Sequence, residues 1–351
     1  MMDVGATISL FTYYVNRYYR KMSASIIGII LFDTLCYNLY MIPEGMICGG
    51  TALEDKMKRT NYILLAVTIL LTGVVVALAA FVSVDNSSDQ QKPFTSLYDA
   101  SDDMLQIIDF NVGKADAAVV RFKNSIGVID TGTEASFPTL DSWLEDRGIK
   151  DIDYLIITHY DQDHIGGAVA LLDKYNVKAV YHPDYVSEKR YYPGLMEKLS
   201  EREGVTTVNT NTTFRIEGLT VDIIPAEDPD PLLNRANNMD NNMSLLCMMT
   251  YGSKKFLFAG DIEKDRIKQL TEGSMDLDSD WIKIPHHGNY DPKLEELMDI
   301  VTPEYAIIST SSDETPSNKL LKLLTNKDVT VLDTMNHAVV TDCDGTQITI
   351  E

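Results

Sequence analysis

Apolar residues fall along this chain in two distinct patterns. From Tyr62 to Val84, "YILLAVTILLTGVVVALAAFVSV", there is no charged side chain. The run exceeds the roughly 20 apolar residues that span a bilayer, and no polar face recurs at helical spacing. From Met104 onward the apolar runs are short and have strand character: "MLQIID", "DAAVVRF", "IGVID", "YLIIT", "KAVYH", "LTVDIIP", "SLLCMMTY", "KKFLFAG", "DWIKIP", "YAIIST", "VTVLD" and "QITI". Helical patterns lie between them, in "FPTLDSWLEDRG", "IGGAVALLDKYN", "DIEKDRIKQLTEG", "PKLEELMDIV" and "PSNKLLKLLTNK". Strand blocks come first and strand–helix alternation follows, which predicts an α/β domain whose sheets are covered by helices.

The two patterns divide the chain. Residues 1–61 form an N-terminal segment, 62–84 a transmembrane anchor or signal peptide, 85–103 a polar tether rich in Ser, Asp and Gln, and 104–351 the globular domain. Lys56, Lys58 and Arg59 precede the apolar run, while Asp85 and Asp89 follow it. The positive-inside rule then keeps the N-terminal flank in the cytoplasm and sets the globular domain outside a bacterial cytoplasmic membrane. No clean A-x-A site ends the run, so an uncleaved anchor is the expectation; cleavage would make the domain secreted. An earlier run, "SIIGIILFDTLCYNLYMI", is interrupted by Asp33 and Asn38 and is a weaker span. "MKRTNYILLAV" reads as a natural bacterial start at Met57, so the residues before it read as an over-extended gene start.

Composition narrows the function. A hydrophobic content of 45% supports a sizeable core, and the formal net charge of -22 repels nucleic acid at long range. Any polyanionic substrate therefore needs a local positive site, such as bound metal. The four cysteines include no CxxC pair, and Cys247 and Cys343 read as small core residues. There is no Walker loop and no GxSxG elbow, so neither a nucleotide cofactor nor a serine nucleophile is expected.

One stretch resists the picture of a plain solvated loop. "THYDQDHIGG" (Thr158 to Gly167) follows the apolar run "IDYLIIT" and crowds His159, Asp161, Asp163 and His164 together. Such groups repel one another and resist burial unless something compensates. A bound cation does so, and imidazole with carboxylate suits zinc, manganese or iron. His159 and Asp161 alternate, so they point the same way in extended chain; Asp163 and His164 enter the turn before a helix. Further donors stand at other strand ends: Asp261 in "FLFAGD", alternatively a simple helix cap, and His286 and His287 in "IKIPHHG". His182 reads as a loop or partly buried histidine, and His337 as a structural one within a strand.

In this order, HxDxDH, strand-end GD and HHG resemble the motifs of the metallo-β-lactamase superfamily, and within it the extracellular hydrolase domain of the ComEC competence DNA-uptake family. "IDFNVGKADAAVV" is similar to that domain's opening segment, with Asn111 where the family has Asp; "IGVIDTG", "NNMSLL" and "DGTQITI" also match. The resemblance covers about Leu105 to Glu351 and leaves out the N-terminal region; the channel's many membrane spans are missing. It implies an αββα sandwich with two divalent metals, zinc or manganese, at one edge. His159 and Asp161 would hold one metal, Asp163, His164 and His287 the other, and Asp261 would bridge them. Asp130 would lie below the site, with Asn241, Asn242 and Ser244 as supporting residues. Two departures stand out: Asp161 replaces the usual histidine, as in the ComEC-like branch, and the usual third-motif histidine has no clear equivalent, Asn241 or Asn242 falling near its place. Asp163 and Asp261 would position the attacking water, and His286 would act as proton donor, with the reverse assignment of His286 and His287 left open. The implied activity is hydrolysis of a phosphoester, with DNA as one substrate. The competing expectations are an envelope phosphorylcholine or teichoic-acid esterase and a non-catalytic binding module.

Overall fold

The computed structural model describes residues 103–226 and 239–351. The apolar run at 62–84, the segment before it and the tether up to residue 102 lie outside the described residues. Among the described residues no helix is long and apolar enough to cross a membrane.

Fifteen strands form two sheets among the described residues. The first has the order β15-β14-β1-β2-β3-β4-β5-β6 and the second β13-β12-β11-β10-β9-β8-β7. Their ranges are β1 Leu105–Asp109, β2 Ala117–Phe122, β3 Ser125–Thr131, β4 Asp151–Ile156, β5 Asn176–Pro183, β6 Val205–Val208, β7 Thr212–Ile216, β8 Leu219–Ile224, β9 Leu246–Tyr251, β10 Lys254–Phe258, β11 Trp281–Lys283, β12 Tyr305–Ile308, β13 Thr330–Asp333, β14 Val339–Cys343 and β15 Ile348–Ile350. The helices are α1 Phe137–Asp146, α2 Gln162–Ile165, α3 Ala168–Lys174, α4 Tyr192–Ser200, α5 Met239–Asn242, α6 Lys264–Glu272, α7 Leu294–Val301 and α8 Asn318–Asn326. In the first sheet β3, β4, β5 and β6 run parallel. In the second β10, β11, β12 and β13 do.

Strands buried on both faces explain the continuous apolar runs in the sequence. In β1, Ile108 packs under the helices while Ile107 packs between the sheets. In β10, Phe256 and Phe258 face the first sheet, and Leu257 faces the opposite helices. Three apolar layers result: helices α1, α3 and α4 on the first sheet, sheet on sheet, and α6, α7 and α8 on the second. This is the αββα sandwich the sequence implied. Cys247 and Cys343 are both free and buried. His337 departs from expectation: it lies just ahead of β14 rather than inside a strand, and it is exposed.

Candidate metal centre

The chemistry-bearing residues collect where β3, β4, β10 and β11 end. At β3, β10 and β11 the chain delivers its group through backbone of positive φ. Asp130, at the end of β3, has φ of 54°. His286, His287 and Gly288 follow β11 with φ of 51°, 52° and 75°. Non-glycine residues rarely adopt such values, and strain of this kind clusters at functional sites. Gly260, just before Asp261, also has positive φ, and a Cβ there would lie 2.8 Å from the Ser244 side chain. That close approach lets the Asp261 N–H donate to Ser244 Oγ at 3.2 Å.

His159, His164, Asp261 and His287 are all buried. Asp261 sits among the histidines: its Oδ1 is 3.4 Å from His164 Nε2, and its Oδ2 is 3.9 Å from His159 Nε2 and 3.4 Å from His287 Nε2. His287 Nε2 is also 3.4 Å from Asp163 Oδ2. Donor groups able to hold a cation are therefore His159, His164 and Asp261 together, and Asp163, His164 and His287 together. Asp116 joins Asp261 and His287 in a third such group, and Asp116, Asp130 and His164 form a fourth.

The donors fit a metal. His159 Nε2, His164 Nε2, His287 Nε2 and Asp261 Oδ1 are buried without a hydrogen-bond partner. Orphaned polar atoms of this kind are rare and costly in a folded interior, and metal held by these donor groups would satisfy them.

Electrostatics in the metal-free protein point the same way. Burial alone would raise the Asp261 carboxyl, but the His287 and His164 imidazoles hold it well below the usual carboxylate range. Asp163 is brought down to about 2 against burial, by His287 and His164. Burial works against charge on His164 and His287, yet the facing carboxylates raise both well above 6.5. His159 goes the other way: burial and then the His164 charge lower it to about 4, against the pull of Asp261. The metal-free site thus holds protons where cations would sit.

Behind the donors lies a layer that fixes their orientation. Asp130 Oδ1 accepts the Thr158 N–H at 2.9 Å, and Oδ2 accepts Thr158 Oγ1 at 2.7 Å and His164 Nδ1 at 2.8 Å. That leaves His164 Nε2 for the centre. Asp116 Oδ1 faces His287 Nδ1 at 3.5 Å, an ion-pair contact rather than a hydrogen bond, and the same oxygen accepts from buried Lys283 Nζ at 2.5 Å. Asp109, beside Lys283, is pushed up to about 7 by burial, with Lys283 opposing and Asp116 adding to the rise. A cavity of about 10 Å³, space for a single water, adjoins Asp109, Asp116 and Lys283.

The remaining expectations sort as follows. His286 is partly exposed, with Nδ1 3.1 Å from Glu263 Oε1. Asn241 Nδ2 donates to that same oxygen at 2.9 Å, and Asn242 Oδ1 accepts from the Glu263 and Arg266 N–H groups at the start of α6. Both asparagines thus bind Glu263 and α6. Asp161 belongs to none of the four donor groups; Lys189 Nζ contacts its two oxygens at 2.7 and 2.9 Å. His182 is buried in β5 between the Tyr160 hydroxyl and Thr207. Asp116 and Lys283 were not singled out from the sequence. A signal existed: "DWIKIP" places a lysine within an otherwise apolar strand, which requires a buried anion nearby.

A family model described as the metallo-beta-lactamase superfamily matches residues 111–312, more than half of the chain. Among characterised proteins, the ComE operon protein 3 of Bacillus subtilis is 29% identical over 263 residues, which is 69% of this chain and 33% of that protein. Competence protein ComA of Neisseria gonorrhoeae is 24% identical over 206 residues, 57% of this chain and 26% of that one. The chain therefore spans a third or less of the length of these relatives. The metallo-beta-lactamase fold protein YhfI of Bacillus subtilis aligns with a TM-score of 0.46 at 12% identity, over 68% of this chain and 100% of that chain. The chain belongs to the metallo-β-lactamase superfamily, and its sequence is similar to competence proteins of the ComEC type.

Proposed function

We propose that this domain is a metal-dependent phosphodiesterase, a nuclease of ComEC type, held outside the cytoplasmic membrane by residues 62–84. The observation that carries the reading is Asp261: its two oxygens face three imidazoles delivered by two different strand ends. The proposed ligands are His159, Asp163, His164, Asp261 and His287, for zinc or manganese. Divalent ions there acidify a water and offset the negative charge of a phosphoester, which the acidic surface would otherwise repel.

The chain's own groups have definable parts. Asp163 and Asp261 accept hydrogen bonds from the attacking water and fix its direction. His286 stands at the rim, and its contact to Glu263 through Nδ1 leaves Nε2 to face substrate and donate a proton to the leaving oxygen. A cavity of about 150 Å³ opens beside it, lined in part by Pro285, Asn289, Tyr290 and Leu294. The names of two relatives, Competence protein ComA and Recombination protein 2, favour DNA as the substrate class.

The test is hydrolysis by the full-length chain of bis(p-nitrophenyl) phosphate, p-nitrophenyl phosphate and DNA, after chelation and after return of manganese or zinc. Diester hydrolysis should vanish on chelation and return with metal. Metal binding without any hydrolysis would identify a binding module instead. Protease added to intact cells should remove the domain; protection until lysis would refute the external placement.

Metal retention should also depend on pH. In the metal-free protein the facing carboxylates raise His164 and His287 well above the usual histidine range, which favours their protonated forms. A cation must displace those protons, and each one displaced weakens affinity about tenfold per unit of falling pH. Chelator competition at several pH values measures this; affinity flat with pH would show that these histidines are not ligands. Replacing the orienting carboxylates, Asp130→Asn or Asp116→Asn, should weaken metal retention about 10- to 100-fold without emptying the site. Unchanged affinity in the same assay would remove them from that role.

A further inference from the structure

The sequence motif offers Asp161 as a metal ligand, but the fold gives its carboxylate a different partner. Asp161 is the N-cap residue of α2, a place where an aspartate side chain ordinarily accepts a backbone N–H; here it accepts none. Lys189 Nζ meets both oxygens instead: it donates a hydrogen bond to Oδ2 at 2.9 Å and makes an ion-pair contact at 2.7 Å with Oδ1, which is buried without a hydrogen bond. Lys189 lies on the connection from β5 to α4, and that connection is pinned. Tyr185 Oη accepts the N–H of Tyr160, inside the motif itself, at 3.2 Å and donates to Asp240 Oδ1 at 3.1 Å. Ser187 Oγ donates to the same Asp240 oxygen at 2.5 Å and accepts the Lys189 N–H at 3.2 Å. Tyr191 Oη reaches across to Glu134 at 2.7 Å. The lysine is thus held from both sides, while its side chain remains 44% exposed.

Asp161 occupies one side of this ammonium and fixes its place, while the rest of the side chain faces solvent, where an anionic group can reach it. The ammonium stands one residue's reach from the donor cluster: Asp161 lies two positions from both His159 and Asp163. We propose that Lys189 is a substrate-binding residue that contacts the phosphate oxygens of the phosphoester, and that Asp161 is its anchor rather than a metal ligand. A solvent-facing, pre-positioned ammonium contributes a charge-assisted hydrogen bond to a phosphate at little ordering cost. The centre is then complete with the five proposed ligands, and the HxDxDH motif serves two ends: metal binding through His159, Asp163 and His164, and substrate capture through Asp161. The inference rests on the phosphoester reading.

The test uses the full-length chain with bis(p-nitrophenyl) phosphate, together with bound-metal analysis of each variant. Lys189→Ala should raise KM about 10- to 100-fold, with kcat falling less than KM rises and metal content unchanged. Lys189→Arg should recover most of the loss, because it keeps the charge. Asp161→Asn should keep full metal content yet show a raised KM, since the ammonium loses its anchor. An active wild type whose KM is indifferent to Lys189→Ala overturns the substrate role. Loss of metal in Asp161→Asn overturns the anchor role and returns Asp161 to the ligand set. A wild type that hydrolyses no phosphodiester sinks the functional reading itself, an outcome visible before any variant is made. Should Lys189→Ala fail to fold, Lys189→Arg and Asp161→Asn carry the same comparison.

Discussion

Asp261→Ala is expected to strip metal from the centre and to lower diester hydrolysis to the level of chelator-treated protein. No other side chain in the site has both oxygens committed to imidazoles on different elements. Its removal would take from the centre a carboxylate that faces imidazoles from both strand ends, and with it a donor for any metal held there. Metal ions typically supply several kcal/mol of transition-state stabilisation, so the rate should fall by at least about 10³-fold. The fold should survive. In the metal-free protein Asp261 helps keep His164 and His287 protonated, and without it they can become neutral rather than stand as unpaired charges. Asp261→Asn, which keeps the shape and removes the charge, should show a similar loss of metal with a smaller change in melting temperature. Bound-metal analysis and steady-state rates decide the matter. If Asp261→Ala keeps its metal and its full rate, the residue is only a turn at the start of α6 and the bridging arrangement is wrong.

What the sequence disclosed follows from what each interaction needs. Strands buried on both faces must be apolar throughout, so β1, β4, β9, β10 and β12 stood out as runs and the layered fold could be argued from them. Six His and Asp side chains at strand ends, His159, Asp161, Asp163, His164, Asp261 and His287, could be picked out along the chain as candidate donors, and the fold brings five of them into donor groups and leaves Asp161 outside. Two of the four edge strands among the described residues obey neither rule. β6 and β7, "VTTV" and "TTFRI", lie at the ends of their sheets, alternate with exposed threonines and carry no apolar run. Helix α4 was missed as well; its two buried leucines, Leu195 and Leu199, leave a weak stripe. Partnerships across long loops were illegible for another reason. Lys189 with Asp161, and Lys283 with Asp116, pair residues 28 and 167 positions apart, and no local spacing encodes such a contact. Asn241 and Asn242 fell near the place of the missing third-motif histidine, yet the fold turns them to Glu263 and α6, because the chain there enters β9 through Ser244.

His286→Ala is expected to leave both metal content and stability near those of the wild type while slowing DNA hydrolysis about 10²- to 10⁴-fold, the usual worth of a positioned proton donor. The two adjacent histidines differ in surroundings, and that difference carries the argument. His287 is buried against Asp116, Asp163 and Asp261, whereas His286 is 30% exposed, lines the rim cavity and, among the described residues, touches only Glu263 of the acidic groups within ion-pair range. A residue so placed can approach a leaving oxygen but not the centre. Proton donation matters most when the leaving group is a poor one. A ribose or deoxyribose alkoxide needs the proton; a nitrophenolate leaves readily without it. The defect of His286→Ala should therefore be large on DNA and much smaller on bis(p-nitrophenyl) phosphate, and Glu263→Gln should show a weaker version of the same selectivity through loss of the Nδ1 contact. An equal loss on both substrates would mean that His286 supports the site without donating a proton. Loss of metal in His286→Ala, with retention in His287→Ala, would show that the two histidines have exchanged roles.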